Sequence, residues 1–253
     1  MKLSTPIYHL KRKARLLSRK QNIPLHQALD LIAGNEGFSG WSLLAAKAPS
    51  SVSARELFAT LNPGGLVLIG ARPGQGKTLL SLELAVEAMK IGNRSAFFTL
   101  EYTEYDVTDR LRVIDRAWER FRGFFDFDSS DDISSDYIIE KLASAKPGTV
   151  AIVDYLQLLD QKREKPVLAA QIRALKAFAS DRQLIIVFIS QIDRSYDPAT
   201  KPFPDLGDVR LPNPLDLTLF DKTYFLQGRN PFRVAGLADL NKKPGVISDA
   251  RLQ

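Results

Sequence analysis

The sequence predicts an α/β protein, with a mostly parallel, twisted sheet flanked by helices and a small helical module in front of it. After about residue 54, short apolar runs alternate with segments of helical periodicity, a pattern typical of parallel sheets with helices on their faces. Two of the runs, 150–153 and 184–189, are apolar throughout, as strands buried on both faces are. Residues 1–47 show only helical spacing.

The N-terminal segment predicts three short helices. Thr5 and Pro6 form a helix start, Pro24 opens a second helix that we expect Gly34 to close, and a third helix would hold Trp41. The stretch after it has the composition of a linker. We therefore expect a basic helical module at 1–47, a linker at 48–54 and an α/β domain at 55–253.

The excess positive charge of the chain lies in its first twenty residues. Seven of the 35 Lys and Arg lie there without any acid, so the other 28 nearly balance the 29 acidic residues. Such an arm suits phosphate backbones or an acidic partner, and the alternative is a solvated helix face. The nucleic-acid candidates on this arm are Lys11, Arg12 and Lys13.

Composition excludes several classes of protein. The chain has no cysteine, which excludes disulfides and thiolate metal sites and fits a cytoplasmic setting. Its longest apolar run, Leu184 to Ile189, is far too short to span a bilayer. The basic N-terminus has no apolar core behind it, so we expect neither a secretory signal nor a membrane partner.

The central motif is LVLIGARPGQGKTLL, from Leu66 to Leu80. An apolar strand passes through a glycine-containing turn into a helix, and the turn fits G-x-x-x-x-G-K-[ST] with Ala71 in place of the first glycine. Backbone N–H groups and the helix N-terminus would bind phosphate oxygens, Lys77 would reach the β- and γ-phosphates, and Thr78 would hold Mg²⁺. The alternative is a glycine-rich turn without a ligand. The predicted nucleotide-binding residues are Arg72, Pro73, Gly74, Gln75, Gly76, Lys77, Thr78 and Leu79.

Three predicted strands end in polar side chains. Glu101 follows the strand at 96–100, Asp154 ends the strand at 149–154, and Gln191 ends the strand at 184–191. The carboxyl ends of parallel strands share one edge of a sheet, where ligands bind. Each residue alone could simply meet water at a strand end. Together, beside a phosphate loop, they predict a catalytic site.

These motifs in sequence resemble the RecA-like motor domain of DnaB-type replicative helicases. The resemblance rests on ARPGQGKT, TLEYTEYDVTDRL, VDYLQLL and QIRALKAFASDRQLIIVFISQIDRS, in the family's order over about residues 55–253. It implies an ATPase that uses ATP and Mg²⁺, assembled into six-membered rings around single-stranded DNA. It also implies that Glu101 polarises the attacking water, that Asp154 holds Mg²⁺ through water together with Thr78, and that Gln191 senses the γ-phosphate beside Lys77.

The C-terminal part departs from the family pattern. Residues 204–213 differ from the loop that helps hold DNA in the family, which puts DNA contact there in doubt. The family's Lys-x-Arg hairpin, which reaches a neighbour's γ-phosphate, corresponds here to a turn with Lys242 and Lys243 and no arginine. Lysine lacks the planar fork of arginine. The turn therefore either acts in trans more slowly or is merely solvated.

Two functions remain open from the sequence. The first is a DNA-dependent ATPase and helicase, with basic groups on loops that would face the channel of a ring. The second is a non-translocating RecA-like ATPase that recruits or regulates a partner. Those loop groups could also be merely solvated; they are Lys162, Arg163, Lys165, Arg194 and Lys201.

Overall fold

The structure is a computed structural model of the chain. It describes residues 7–47, 51–160, 165–197, 200–201, 204–211, 213–227 and 232–235. The chain divides into two compact units, residues 1–51 and 52–253. The bounds predicted for the linker, 48–54, stay a prediction, because residues 48–50 lie outside the described residues.

The described part of the first unit contains the three expected helices, α1 (Ile7–Gln21), α2 (Leu25–Asn35) and α3 (Trp41–Lys47). Helical spacing brings Leu10 of α1 and Leu44 of α3 into one small buried cluster. The expectation that Gly34 closes the second helix is wrong. The helix continues to Asn35, and Gly37, at φ 82°, adopts the left-handed conformation that follows a helix end.

The second unit alternates strands and helices. A two-residue strand, β1 (Ser51–Val52), lies at the boundary of the units. The further helices are α4 (Ala54–Phe58), α5 (Lys77–Lys90), α6 (Glu104–Ile114), α7 (Ser135–Lys141) and α8 (Leu168–Arg182). The further strands are β2 (Leu66–Ala71), β3 (Ser95–Thr99), β4 (Phe125–Asp128), β5 (Val150–Asp154), β6 (Ile185–Gln191), β7 (Lys222–Gln227) and β8 (Phe232–Ala235). Short 3₁₀ helices lie at Trp118–Phe124, Leu156–Asp160, Leu206–Asp208 and Leu217–Leu219.

The sheet order is β1-β8-β7-β2-β6-β5-β3-β4. The six strands from β7 to β4 run parallel, and β8 pairs antiparallel to β7. Side chains of β2 alternate between two buried cores: Ile69 joins the core that contains Leu84 of α5, and Leu68 joins the core that contains Leu175 of α8. Helices thus cover both faces of the sheet, which confirms the predicted α/β fold and explains why the central strands are apolar throughout.

Two local features depart from the simple patterns of the sequence. The apolar stripe from Val107 to Phe121 is not one helix, because Asp115 has extended backbone and separates α6 from the 3₁₀ helix at Trp118–Phe124. The segment from 124 to 136, in which the sequence shows no motif, contains strand β4 at the edge of the sheet. Within the described residues, no helix is both long and apolar enough to cross a membrane.

Candidate nucleotide-binding site

The turn between β2 and α5 has the backbone of a phosphate loop. Gly74 and Gly76 have φ values of 78° and 91°, which glycine adopts without a steric penalty. Gly76 is the N-cap of α5, and no side chain among the described residues caps that end of the helix. The first N–H groups of the 14-residue helix therefore point out of its end, where they favour an anion.

Ala71 replaces the first glycine of the motif without strain. It is the last residue of β2, fully buried, and pairs with Gln191 of β6 in the parallel register. Its φ is not positive, so the position does not need glycine. The left-handed backbone of this turn is confined to Gly74 and Gly76.

Thr78 and Asp154 join the phosphate loop to the next motif. The Oγ1 hydroxyl of Thr78 donates a hydrogen bond of 2.9 Å to Oδ2 of Asp154. Lys77 and Thr78 are buried at the start of α5, and Asp154 is fully buried at the end of β5. The two motifs, which lie far apart in the chain, therefore form one site.

Asp154 is held in an unusual electrostatic state. Its pKa is raised from 3.8 to about 6, chiefly by burial and also by the charge of Glu101. The hydrogen bond from Thr78 and the charges of Lys77 and Arg110 lower the pKa but do not offset the effect of burial. Its Oδ1 atom is buried and has no hydrogen-bond partner among the described residues. Such an orphaned acceptor is unfavourable unless another group approaches it.

The residues fit a magnesium ion held mainly by a phosphate ligand. Mg²⁺ prefers hard oxygen ligands and takes few of them from the protein when substrate phosphates supply others. Thr78 and Asp154 offer a hydroxyl and a carboxylate oxygen. Among the described residues, no group of three or more His, Cys, Asp or Glu side chains could hold a metal ion without such a ligand.

The sheet places the three predicted strand-end residues at the same edge as the phosphate loop. Thr99 of β3 is opposite Asp154, and Asp154 is opposite Ile189 of β6, two residues before Gln191. Glu101 lies two residues after the end of β3, and its backbone N–H donates to Oγ1 of Thr99 at 3.0 Å. Glu101 is exposed and Gln191 is half-buried. Their roles toward a nucleotide stay predictions.

Arg110 is a residue of this site that the sequence analysis did not single out. It lies on α6 with its guanidinium carbon 4.3 Å from the centre of the Tyr102 ring, and its Nη1 donates to the carbonyl of Asp106. Its charge lowers the pKa of Asp154, as described above. The signal was its place within TLEYTEYDVTDRL, one helical segment after Glu101.

Arg72 links the phosphate loop to the segment after β6. Its Nη1 donates a hydrogen bond of 3.1 Å to the carbonyl of Tyr196. Pro73 and Gly74 are exposed, whereas Gln75 and Leu79 are half-buried. The predicted nucleotide-binding residues thus form the turn and the first residues of α5, and the side chain of Arg72 is hydrogen-bonded outside the turn.

The predicted nucleic-acid residues lie in different settings. Lys11, Arg12 and Lys13 are exposed on α1, and Arg194 is exposed after β6. Lys165 donates to the carbonyl of Ile133, and Lys201 pairs with the carboxylates of Asp205 and Asp208. Outside the described residues lie Lys162, Arg163 and the two predicted trans residues, Lys242 and Lys243.

Comparisons with known proteins agree on one family. The family model described as "DnaB-like helicase C terminal domain" matches residues 54–118 and 128–213. A "Replicative DNA helicase DnaB" of Helicobacter pylori (strain ATCC 700392 / 26695) is 27% identical over 90% of this chain and 53% of its own length. A relative with the same name in Leifsonia xyli subsp. xyli is 28% identical over 61% of this chain and 41% of its own length. The chain thus spans about half the length of the curated relatives it matches.

Solved structures with related folds include the "ATPase Domain of G40P". It has a TM-score of 0.54 and 20% identity, covering 74% of this chain and 80% of that one. A second, titled "The Structure Of A DnaB-Like Replicative Helicase And Its Interactions With Primase", has a TM-score of 0.55 and 19% identity, covering 87% and 67%. At these identities the two structures show the fold, and the family match confirms the resemblance found in the sequence. The chain belongs to the DnaB-like helicase C-terminal domain family.

Proposed function

We propose that this chain binds and hydrolyses ATP as a RecA-like motor of the DnaB type that acts on single-stranded DNA. The hydrogen bond between Thr78 and Asp154 supports this most directly, because it joins the end of a phosphate loop to a buried strand-end carboxylate. Family membership supports the same function. The regulatory, non-translocating alternative gains no support from the relatives, which are named as replicative helicases.

In this proposal the phosphate groups lie over the N-terminus of α5. The N–H groups of the turn and the Lys77 ammonium group neutralise the β- and γ-phosphates, which is most of what phosphoryl transfer requires. Thr78 and Asp154 would hold Mg²⁺, which supplies further positive charge at the phosphates when bound. The backbone of the turn from Arg72 to Gly76, with Leu79 behind it, positions the ligand.

Glu101 and Gln191 act at the far end of the phosphates. Glu101 polarises the water that attacks the γ-phosphorus and accepts its proton as the bond to the β-phosphate oxygen breaks. Gln191 contacts the γ-phosphate by its side-chain amide and so distinguishes ATP from ADP. Its half-buried position at the end of β6, paired with Ala71 of the phosphate-loop strand, supports this role.

A ring of copies would complete the site. In the family, a hairpin of one copy reaches the γ-phosphate of the next, and here Lys242 and Lys243 are the proposed counterparts. A lysine pair neutralises charge but lacks the bidentate geometry of arginine. Because an arginine finger contributes on the order of 10³–10⁵ in rate, we expect slow turnover.

DNA is the proposed polymer. The exposed cations of α1, Lys11, Arg12 and Lys13, supply a positive surface for phosphates, and Arg194 supplies another near the nucleotide site. For Lys162 and Arg163 the proposal rests on the sequence alone. The proposed compartment is the cytoplasm, where bacterial chromosomes replicate.

ATP turnover measured with and without single-stranded DNA tests the proposal. Wild type should hydrolyse ATP slowly, faster with DNA, and Lys77→Ala should abolish turnover. The matched control is Lys90→Ala at the other end of α5, where Lys90 pairs with Glu87 at the surface. A forked duplex tests strand separation. Wild type without turnover in any condition would contradict the proposal.

A further inference from the structure

The segment 204–211, here called the return loop, folds back onto the end of β6. The N–H of Arg210 donates to the carbonyl of Gln191 at 2.9 Å, and the N–H of Asp193 donates to the carbonyl of Asp208 at 2.8 Å. Ile192 and Val209 form an antiparallel bridge between these two contacts. The backbone of the proposed γ-phosphate sensor is therefore hydrogen-bonded directly to the return loop.

Gln157, which lies in a third segment, forms hydrogen bonds to both β6 and the return loop. It lies in the 3₁₀ helix that follows Asp154, and its Nε2 donates to the carbonyl of Arg210 at 2.6 Å and to Oγ of Ser190 at 3.3 Å. Because a backbone carbonyl can only accept, the contact with Arg210 fixes which end of the amide is the nitrogen. One side-chain amide thus connects β6, the return loop and the segment that carries Asp154.

The other end of this amide is unsatisfied. Oε1 of Gln157 is buried and has no hydrogen-bond partner among the described residues. A buried acceptor without a donor is unfavourable, and it gains a donor only if its surroundings rearrange. The Gln157 amide can therefore exchange its present contact with Arg210 for a new donor to Oε1, which suits it to two discrete arrangements.

An ion cluster around Lys201 also holds the return loop. Nζ of Lys201 lies 2.7 Å from Oδ2 of Asp205 and also contacts the carboxylate of Asp208. Tyr196 donates its hydroxyl hydrogen to the carbonyl of Lys201, and the carbonyl of Tyr196 accepts from Arg72 of the phosphate loop. The return loop is therefore connected to the nucleotide site at two places, Gln191 and Arg72.

We infer that Gln157 is a positioning residue that transmits the nucleotide state at Gln191 to the return loop. The inference rests on the proposed function, since it assigns a regulation to the same site. A shift of Gln191 toward a γ-phosphate moves the carbonyl that holds Arg210. Gln157 makes this movement cooperative, because its amide binds Arg210 and the residue preceding Gln191 at once.

Hydrogen exchange of the Asp193 and Arg210 amides, with and without a non-hydrolysable ATP analogue and Mg²⁺, tests the inference. In wild type the analogue should change the exchange of both amides. Gln157→Met keeps the side-chain volume but removes the donor to the carbonyl of Arg210, so the return loop should open more often. The N–H of Arg210 should then exchange roughly tenfold faster, as expected for the loss of about one hydrogen bond. Its exchange should then no longer respond to the analogue, although the analogue still binds.

Further variants separate coupling from a merely structural role. Gln157→Lys retains donors for the same acceptors and should restore the response. Asn213→Ala removes an exposed contact of Nδ2 with Oδ2 of Asp160 and should leave the response unchanged. If Gln157→Met does not fold, Ser190→Ala removes one acceptor without added volume and should weaken the response.

Analogue binding, followed separately by fluorescence, distinguishes two failures. If the analogue binds and the exchange of the return loop does not change in wild type, the coupling is wrong while the nucleotide site stands. A full response in Gln157→Met would overturn the coupling as well. If no analogue binds to wild type, the proposed function fails and the coupling fails with it.

Discussion

Oγ1 of Thr78 lies 2.9 Å from Oδ2 of Asp154. Thr78 is at the start of α5 and Asp154 at the end of β5, so the two residues are far apart in the chain. Neither side chain belongs to the apolar cores on the two faces of the sheet, and Asp154 is fully buried. Burying a carboxylate in this way is costly, which is typical of a binding site at the carboxyl edge of a sheet and unusual in a purely structural contact.

Removing the Thr78 hydroxyl should affect both stability and catalysis. Thr78→Val keeps the shape but leaves Asp154 without its hydrogen bond, which should lower the free energy of unfolding by about 1–3 kcal/mol. It should also lower the rate of Mg²⁺-dependent ATP hydrolysis roughly a hundredfold or more. Urea denaturation and ATP turnover measure the two effects. Thr78→Ser retains the hydroxyl and should keep most of both.

Asp154 should make the stability pH-dependent in an unusual direction. Because its pKa is about 6 in the folded chain and 3.8 is its ordinary value, the folded state holds the proton more tightly than the unfolded state between these values. Its contribution to the free energy of unfolding therefore falls as pH rises from about 4 to 6, by at most about 3 kcal/mol. Urea denaturation without Mg²⁺ should show this in a comparison of wild type with Asp154→Asn. An identical pH dependence in the two proteins would contradict it.

Loss of the Arg110 charge should shift the acid limb of the pH–rate profile slightly. Its charge lowers the pKa of Asp154, so Arg110→Gln should raise that pKa and move the loss of ATP turnover to higher pH. Arg112→Gln is the matched control, since Arg112 is on the same helix but pairs with Glu119. The profile of the control should coincide with that of wild type.

Gly70 should not tolerate a side chain. A Cβ at this position would lie 2.9 Å from ring carbons of Phe225 and 3.1 Å from Cδ1 of Ile192. Gly70→Ala should therefore lower the free energy of unfolding by roughly 1–3 kcal/mol, measured by urea denaturation. Gly123→Ala is the control, because a Cβ added to Gly123 would meet nothing within 4 Å. Equal stability of the two variants would show that the sheet adjusts at Gly70.

The exposed cations of α1 should contribute to DNA affinity through charge alone. Replacing Lys11, Arg12 and Lys13 by Gln should weaken binding to single-stranded DNA and reduce the slope of log affinity against log salt by about 2. Fluorescence anisotropy over a range of salt concentrations measures both. Gln substitution of three exposed cations of the second unit is the control: Arg55, Lys90 and Lys146. An unchanged slope in the α1 variant would exclude this surface.

The parts of the site that depend on local sequence could be predicted, and those that depend on distant contacts could not. The strand before Ala71, the glycines of the turn and the polar ends of β5 and β6 each follow from a short pattern. Arg110 lies within the stretch TLEYTEYDVTDRL, but only the fold shows that its charge acts on Asp154. Gln157 was missed for the same reason, since its acceptors lie 33 and 53 residues away.

The missed strand β4 has a different cause. Its four residues alternate Phe and Asp, and its side chains are half-buried or exposed, because it is at the edge of the sheet. Its acidic composition is that of a turn, and only the pairing with β3 makes it a strand. Similarly, apolar residues recur at helical spacing on both sides of Asp115, but the extended backbone of Asp115 places them in two elements, α6 and the 3₁₀ helix at Trp118–Phe124.

Ala71 has a consequence for how such turns diverge over time. A methyl group is accepted there because the residue finishes β2 in ordinary extended backbone. Exchange between glycine and alanine at that place consequently costs little, whereas a side chain at Gly74 or Gly76 would strain the left-handed backbone of the turn. Related phosphate loops should therefore vary more readily at the first position of the motif than at its later glycines. A consensus that requires glycine at the first position would overlook loops that still bind phosphate.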